Sequence, residues 1–334
     1  WSRWRYSNDN FTGVCIMGIF QNHLMGAAAA AAASGGANTG RAINFGGYDD
    51  VNVIDYFDTA SAGNATDFGD LTDGGSSGEA NANDTVALYY FGRRNSVANS
   101  NVIEKVNVAS TGNAADYGDS TESVQDRTGN CSNSTIALTS GGYGGSATNR
   151  IDKKLFATDG NATDFGNLTI ATWQCNGGSS NGTKGIIKTG GSTNSGAQQT
   201  IDTVVIASDG NATDFGDLGY TPHTCVAASG STKGFGYSGW TNGAYFNHIR
   251  VYNISSDGDA TDFGDVSEGR YSATGCADKL KAFHIGGQTA SSQAVTQIDV
   301  WVQESAGNST DFGDLTSRSR TQSMSSACAA HGGI

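Results

Sequence analysis

Gly63-Asn-Ala-Thr-Asp-Phe-Gly-Asp-Leu71 is the stretch that decides how this chain is organised, because versions of it occur six times. The other copies begin at Gly112, Gly160, Gly210, Gly258 and Gly307, so the steps between copies are 49, 48, 50, 48 and 49 residues. A period this regular indicates one structural unit used six times in a single repeat array. Residues 40–334 are therefore expected to fold as one object, although their length alone would allow several domains.

Short strand-forming segments surround each copy of the motif. A β-branched strand that opens with isoleucine and usually an acid precedes it, as in Ile201-Asp-Thr-Val-Val-Ile-Ala207. An apolar strand comes earlier in the repeat and often ends in a glycine pair, and a strand of small residues follows the motif. Four short strands in each repeat predict a six-bladed, all-β propeller of four-stranded blades, since the coils of a β-solenoid are shorter.

The two ends of the array predict how the ring closes. The first repeat, from Gly40, has no strand of small residues, whereas the last repeat is followed by one, Met324-Ser-Ser-Ala-Cys-Ala-Ala330. We expect this C-terminal strand to pair beside residues 42–46. It would complete the first blade and remove the open edge of the array.

Residues 1–39 stand outside the repeat and are predicted to form an N-terminal extension or anchor. The segment includes seven alanines, Ala27 to Ala33, which favour a short helix or a flexible stretch. The sequence changes character at Met17, and one hypothesis makes Met17 the natural start. A signal peptide is a weaker interpretation, because polar residues interrupt the apolar stretch. No run of about 18 strongly apolar residues occurs, so no membrane span is predicted.

Composition and motifs disfavour two classes of function. The chain has 32 acidic and 19 basic residues, a formal net charge of −13, and such a surface repels phosphate backbones. Nucleic acid is therefore not an expected partner. The sequence has no nucleophile elbow, Walker loop, zinc-protease helix or dinucleotide fingerprint, and its five histidines share no repeat position. We therefore predict that the protein is not an enzyme.

Five of the six cysteines follow the repeat, in or just before the strand of small residues. They are Cys131, Cys175, Cys225, Cys276 and Cys328. Buried free thiols that act as small apolar side chains are the favoured interpretation. Disulfides between repeats are the alternative, and they would require neighbouring strands at bonding distance.

The repeated motif itself allows two interpretations. Two copies place oxygen atoms at alternating positions, as calcium-binding loops do. They give the candidate metal ligands Asp159, Asn161, Asp164, Asp209, Asn211 and Asp214. The favoured interpretation is structural, because other copies lose the leading acid: Asn and Asp bond to backbone, the glycines supply positive φ and the aromatic residue packs between blades. We expect the motif to lock each blade to the next, with no cofactor, and calcium remains the alternative.

The fifth repeat departs from the others in an aromatic cluster. Aromatic rings beside Asn and Gly suit a platform for stacking sugars, so Tyr237, Trp240, Tyr245 and Phe246 are the candidate ligand-binding residues. Packing between blades is the alternative and the favoured interpretation. A second cluster, Tyr89-Tyr-Phe-Gly-Arg-Arg94, allows the same two interpretations.

The glycine pairs and the later aromatic position resemble those of kelch-type propellers, whose repeats run to about 50 residues. The pairs are Gly46-Gly47, Gly141-Gly142, Gly190-Gly191 and Gly286-Gly287, and the aromatic position holds Phe68, Tyr117, Phe165, Phe215, Phe263 and Phe312. The usual tryptophan is absent, so the resemblance is to a divergent, kelch-like group. The Ile-Asp strand and the motif together are also similar to repeats in predicted structural or tail proteins of marine tailed bacteriophages.

The second resemblance implies a non-enzymatic protein of the virion, either structural or associated with the tail. It would bind a host surface glycan or another virion protein, and it could form a homo-oligomer. The alternative is a secreted or cell-surface propeller of a bacterium with a lectin-like, adhesive role. A propeller hydrolase or oxidase is the third option.

Overall fold

The computed structural model describes residues 40–47, 51–95, 97–175, 177–188, 190–192, 196–291, 294–316 and 325–328. The N-terminal extension predicted for residues 1–39 lies outside them. The described residues form strands, turns and bends, with no helix among them. Accordingly, the described part of the chain contains no helix with the length and apolar character needed to span a membrane.

The strands follow one another in the order of the repeats. The first repeat holds β1 (Arg41–Phe45), β2 (Val53–Asp58), β3 (Thr66–Asp70) and the short β4 (Gly75–Ser76); the second holds β5 (Glu79–Ala82), β6 (Val86–Tyr90), the short β7 (Arg93–Arg94), β8 (Ser100–Asn107) and β9 (Ala115–Val124). The third holds β10 (Gly129–Ser132), β11 (Ile136–Ser140), β12 (Thr148–Leu155) and β13 (Thr163–Thr172).

The second half repeats this order. The fourth repeat holds β14 (Gly178–Ser180), β15 (Lys184–Lys188), the short β16 (Gly191–Ser192) and β17 (Gly196–Ala197), β18 (Thr200–Val205) and β19 (Thr213–Asp217). The fifth holds β20 (Thr224–Ser229), β21 (Lys233–Thr241), the short β22 (Ala244–Tyr245), β23 (His248–Asn253) and β24 (Thr261–Asp265). The sixth holds β25 (Thr274–Ala277), β26 (Lys281–Ile285), β27 (Gln297–Val302) and β28 (Thr310–Asp314), and β29 (Ser325–Cys328) ends the series.

These strands build a six-bladed β-propeller, as the sequence predicts. Each blade is an antiparallel sheet in which four main strands are ordered from the inner to the outer edge. The first blade takes its inner strand from the C-terminal end: β29 pairs with β1 in a register that runs from Ala42 opposite Cys328 to Phe45 opposite Ser325. The predicted ring closure is therefore confirmed.

The inner strands carry small side chains because they converge on the axis of the ring. β5, β10, β14, β20 and β25 line an axial space of about 50 Å³ with alanine, glycine, serine, cysteine and asparagine. Pockets for small molecules typically measure about 300–1,000 Å³. The axial space is therefore a packing feature and too small to hold such a ligand.

Apolar side chains fill the interfaces between blades. Phe165, from the motif of the third blade, is buried in one cluster with Ile206 and Ala212 of the fourth blade. Phe68 of the first blade packs in the same way with Val108 and Ala114 of the second. The aromatic position of the motif therefore packs between blades, as the structural interpretation predicts.

The polar atoms of the motif join each outer strand to the next blade. Gly112 and Ala114 of the second blade donate their N–H groups to the Phe68 and Asp70 carbonyls of β3. Asn113 Oδ1 accepts the Asp70 N–H at 3.1 Å. The same position accepts the equivalent bond, at 3.0–3.1 Å, at all the blade interfaces: Asn64, Asn113, Asn161, Asn211, Asp259 and Asn308. We call this ring of bonds the peripheral belt.

The peripheral belt confirms that the motif locks each blade to the next, and it corrects one detail. The asparagine side chains were expected to bond within their own turn, whereas they reach the neighbouring blade. They can do so because the second glycine of each motif allows close approach. The backbone φ of Gly69 is +151°, and a Cβ there would lie only 2.5 Å from the Gly112 carbonyl.

A second lock ties most blades together nearer the axis. At the interface between the third and fourth blades, Asp202 accepts the Thr169 N–H at 2.9 Å and the Thr169 hydroxyl at 2.7 Å. The acid of the Ile-Asp strand plays this part at five interfaces, in the pairs Thr72–Glu104, Thr121–Asp152, Thr169–Asp202, Ser267–Asp299 and Thr316–Asp55. We call these pairs the threonine–acid locks. They explain why an acid directly follows the isoleucine in the third strand of nearly every blade.

The cysteines were only partly predicted. Cys131 is a buried free thiol, as expected, and Cys276 is also buried. Cys175 and Cys225 form a disulfide between the fourth and fifth blades, with their Cα atoms 5.1 Å apart, so the prediction of free thiols is wrong for this pair. The reason is that equivalent residues near neighbouring inner strands come within disulfide reach close to the axis.

Candidate functional site

The interface between the fourth and fifth blades is where the repeat pattern breaks. The threonine and the acid of the threonine–acid lock are replaced there by Gly219 and Arg250. Tyr220 follows Gly219 and donates a hydrogen bond from its hydroxyl to the Ser238 carbonyl at 2.8 Å. The disulfide lies at the same interface. These blades therefore replace the shared lock with contacts of their own.

The fifth blade also carries an extra hairpin. β21 continues past its neighbours into β22, and the two-residue turn Asn242-Gly243 joins them with φ of +46° and +88°. Positive φ at both turn residues is typical of a type I′ hairpin. Trp240 and Tyr245 are directly opposite each other in this hairpin, so their side chains share one face.

Trp240 belongs to a line of half-buried rings that crosses four blades. Trp240 contacts Tyr271 of the sixth blade at 5.4 Å and His223 at 6.1 Å between ring centroids. Tyr143 of the third blade contacts Trp173 at 5.2 Å. All five side chains are half-buried. We call Tyr143, Trp173, His223, Trp240 and Tyr271 the aromatic arc.

One glycine connects the two halves of the aromatic arc. Gly191 pairs through its backbone with Trp173. A Cβ built on Gly191 would lie 3.5 Å from the Trp173 indole nitrogen and 2.8 Å from His223 Nδ1. Trp173 and His223 therefore both lie close to Gly191, and the arc continues across the interface between the fourth and fifth blades.

The topology places the whole arc at one end of the propeller. Trp173, His223 and Tyr271 lie in connections from an outer strand to the next inner strand, and Tyr143 lies in a loop between a second and a third strand. Trp240 lies near the end of β21, where the second strand of its blade leads toward the third. In an antiparallel blade both kinds of connection leave from the same end. The repeated turns between the first and second strands, such as that of Leu280, lie at the opposite end.

The four aromatic residues predicted to bind a ligand have different environments in the structure. Tyr237 is fully buried, and its hydroxyl donates to the Phe283 carbonyl at 2.7 Å. It packs between blades and offers no face to a ligand. Phe246 is half-buried and contacts the Tyr220 ring at 5.1 Å. Trp240 and Tyr245 lie together on the hairpin, and a ligand-binding role for them stays a prediction.

Sequence reasoning missed most of the aromatic arc. Tyr143, Trp173, His223 and Tyr271 belong to four different connections, and none of them lies in an aromatic cluster of the sequence. The signal that could have found them is their shared place in the repeat, just after the outer strand or just after the glycine pair. The second predicted cluster is core instead, since Tyr89, Tyr90 and Phe91 are all fully buried.

The candidate metal ligands serve the peripheral belt and surface ion pairs. Asn161 and Asn211 use Oδ1 to accept the N–H groups of Asp119 and Asn167. Asp159 lies 3.1 Å from the Lys105 ammonium. Two further candidates are exposed on the outer strands, Asp164 and Asp214.

The last candidate ligand, Asp209, pairs with Lys153 at 2.6 Å. Across the described ranges, no three His, Cys, Asp or Glu side chains come together as they would around a metal ion. Calcium binding at these residues stays a prediction with no cluster of ligands on which to build it.

Two ionisable groups, Glu79 and Lys188, are buried inside the propeller. Burial raises the pKa of Glu79 to about 8, although Asn130, the Gly177 N–H and Arg127 act in the opposite direction. Burial lowers the pKa of Lys188 to about 7, and its ammonium donates to the Val226 carbonyl at 2.9 Å. Neither Glu79 nor Lys188 is exposed enough to meet a ligand.

Glu79 predicts a specific pH dependence of stability. Its pKa is about 8 in the folded chain and near 4.5 when unfolded, so its contribution is fully present below pH 4.5 and is lost as the pH rises through 8. Glutamine resembles the protonated acid and does not titrate. We expect Glu79→Gln to differ little from the native chain near pH 5 and to be more stable by about 4 kcal/mol at pH 8.

Urea unfolding at both pH values measures this difference. Glu304→Gln is the matched control, because Glu304 is exposed and its ion pair with Lys233 is long, at 3.8 Å. If the two substitutions changed the free energy of unfolding equally at pH 8, the pKa of Glu79 would not be raised in the folded chain.

A buried triad occurs in the sixth blade. Arg270 pairs with Asp299 at 2.7 Å, and His284 Nδ1 is 3.6 Å from the same carboxylate, with every one of these side chains fully buried. Burial lowers the pKa of His284 to about 4, so its ring is neutral at pH 7. Arg270 also donates to the Gly286 and Gln297 carbonyls. The triad holds the end of β26 and is closed to substrate.

Comparison with known proteins leaves the structure to carry the functional argument. No protein-family model matches the chain, and no curated protein matches it either.

Proposed function

We propose that the chain is a non-enzymatic recognition propeller of a tailed-phage virion. In this role it is a structural or tail-associated protein that binds a host surface glycan or a neighbouring virion protein. The observation that supports recognition is the aromatic arc, which gathers half-buried rings at one end of a frame locked all round by the peripheral belt. A rigid frame that presents loops at one end suits binding without catalysis.

The virion part of the proposal rests on the resemblance of the repeat to phage structural and tail proteins. Mass spectrometry of purified virions from a lysate tests it directly. We expect peptides from residues 40–334 in stoichiometric amounts. Their absence from purified virions, together with their presence in the medium or on the cell surface, would instead favour the secreted, lectin-like propeller.

The recognition part is tested on cells. Fluorescently labelled protein should bind host cells, and mild periodate oxidation of the cell surface should remove that binding if the ligand is a glycan. Protease treatment should remove it if the ligand is a protein. Binding to neither host cells nor isolated virion proteins would refute recognition as the function.

A further inference from the structure

We infer that the aromatic arc is the binding surface for an extended, neutral, pyranose-based glycan. This inference rests on the proposed recognition function and goes beyond it, because it names the site and the class of ligand. The site consists of Tyr143, Trp173, His223, Trp240 and Tyr271. The hairpin residue Tyr245 lies beside Trp240 at one point of the arc.

The exposure of these rings is the first argument. The aromatic residues that pack between blades are almost completely buried: Phe165 and Phe215 are each 3% exposed. The arc residues are only half-buried. Half-buried rings in a continuous line form an apolar surface that a ligand can cover. The flat apolar face of a pyranose suits such rings.

The shape of the arc favours a chain of sugars over a single one. Contacts between rings run at 5.2, 6.1 and 5.4 Å, and Gly191 closes the remaining step between Trp173 and His223. The line crosses the third to the sixth blades. A ligand that follows this line would lie along the surface and contact several rings in turn.

Amide side chains beside the arc can supply hydrogen bonds. Gln125 pairs through its backbone with Tyr143, Gln288 pairs with Tyr271 and Gln174 follows Trp173 in the chain. All three glutamines are half-buried. An amide offers both a donor and an acceptor, which matches the mixed demands of sugar hydroxyl groups.

Charge decides between neutral and acidic glycans. The arc residues and the three glutamines carry no charge at neutral pH, since burial lowers the pKa of His223 below its usual value. The chain as a whole carries −13. A polyanionic glycan would be repelled by this charge and would find no cation in the arc, whereas a neutral glycan would not be repelled.

Calorimetric titration of the full chain tests the inference. The probes are the neutral hexasaccharides cellohexaose, maltohexaose and chitohexaose, with hexagalacturonate as the acidic comparison. We expect at least one neutral probe to bind and hexagalacturonate not to bind. Trp240→Ala should weaken that binding about tenfold, whereas Trp240→Phe, which keeps a ring, should weaken it less. The melting temperature of each variant checks that it is folded.

Leu280→Ala is the control variant, because Leu280 is an exposed apolar residue at the opposite end of the sixth blade. It should bind like the native chain. The inference is overturned if hexagalacturonate alone binds, if no neutral probe binds, or if folded Trp240→Ala binds as tightly as the native chain. Host-cell binding that persists while all neutral probes fail would reject the ligand class and leave the recognition function standing.

Discussion

A chain that ends at residue 322 is expected to lose the cooperative unfolding of the native propeller. The deletion removes β29, whose four residues pair with Ala42 to Phe45 of β1. It therefore leaves the first blade without its inner strand and exposes the edge of β1. We expect a loss of stability of at least about 5 kcal/mol, which is comparable with the whole stability of a typical domain.

The effect should be large because β29 has three neighbours. It pairs with β1 within its own blade, and it lies between β25 and β5 around the axis. Its removal opens the inner wall of the ring at the point where the last blade meets the first. In an open repeat array a terminal unit can fray, whereas in a closed ring each blade depends on both neighbours.

Thermal and urea unfolding, followed by circular dichroism, measure this loss. A chain that ends at Cys328 keeps β29 and is the matched control. A synthetic peptide of residues 323–334 should restore part of the lost stability when it is added to the shortened chain, since an extended peptide can add to an exposed strand edge. An unchanged melting temperature for the chain ending at residue 322 would refute this closure.

The number of blades, the order of the strands and the ring closure could be predicted from the sequence. The reason is that the motif repeats at nearly constant spacing, so one reading of Gly63 to Leu71 applies to every copy. Only the first repeat has no strand of small residues, so the extra strand Ser325–Cys328 could complete only the first blade. Packing of Phe165 between blades followed from the same regularity, because an aromatic ring, Phe or Tyr, recurs in an otherwise polar motif and requires a place to be buried.

The partners in the hydrogen bonds and the disulfide between blades could not be predicted, because these contacts join residues far apart in the chain. Thr169 follows the motif directly, yet its partner Asp202 lies 33 residues later in the next blade. The disulfide spans 50 residues and depends on how closely the fourth and fifth blades approach at the axis. Repeat spacing shows which positions are equivalent, and only the packing of the ring shows which of them meet.

Only part of the candidate site could be predicted from the sequence, for the same reason. Trp240 and Tyr245 stand out because one hairpin holds them near each other in the chain. Trp173 and Tyr271 join them only after the ring has formed, since they come from different connections. Tyr237 looked equivalent to Trp240 in sequence, but it is fully buried between blades.

Two glycines of one motif copy should differ strongly in how much substitution by alanine changes the stability of the fold. Gly210 opens the fourth copy, has nothing within 4 Å of an added Cβ and needs no positive φ. Gly216, six residues later, has φ of +147°, and an added Cβ would lie 2.6 Å from the Gly258 carbonyl. We expect Gly216→Ala to destabilise the fold by about 3–5 kcal/mol and Gly210→Ala to change stability by less than about 1 kcal/mol.

The cost at Gly216 has two parts that act together. Alanine rarely adopts this φ, and relaxing the backbone would move the Asp217 N–H away from its acceptor, Asp259 Oδ1, at 3.0 Å. The carbonyl that blocks the Cβ belongs to the next blade, so the clash acts directly on the peripheral belt. The interface between the fourth and fifth blades has no threonine–acid lock to compensate, because Gly219 and Arg250 occupy those positions.

Urea unfolding of both variants gives the two free energies on one scale. The contrast separates a structural motif from a tolerant surface loop, because the two glycines lie in the same nine residues and differ in their backbone φ and in what they face. If the two variants were equally stable, the motif would not hold the blades together, and its six copies would require another explanation. If Gly216→Ala alone unfolds early, the peripheral belt is the feature that makes six repeats one rigid frame for the aromatic arc.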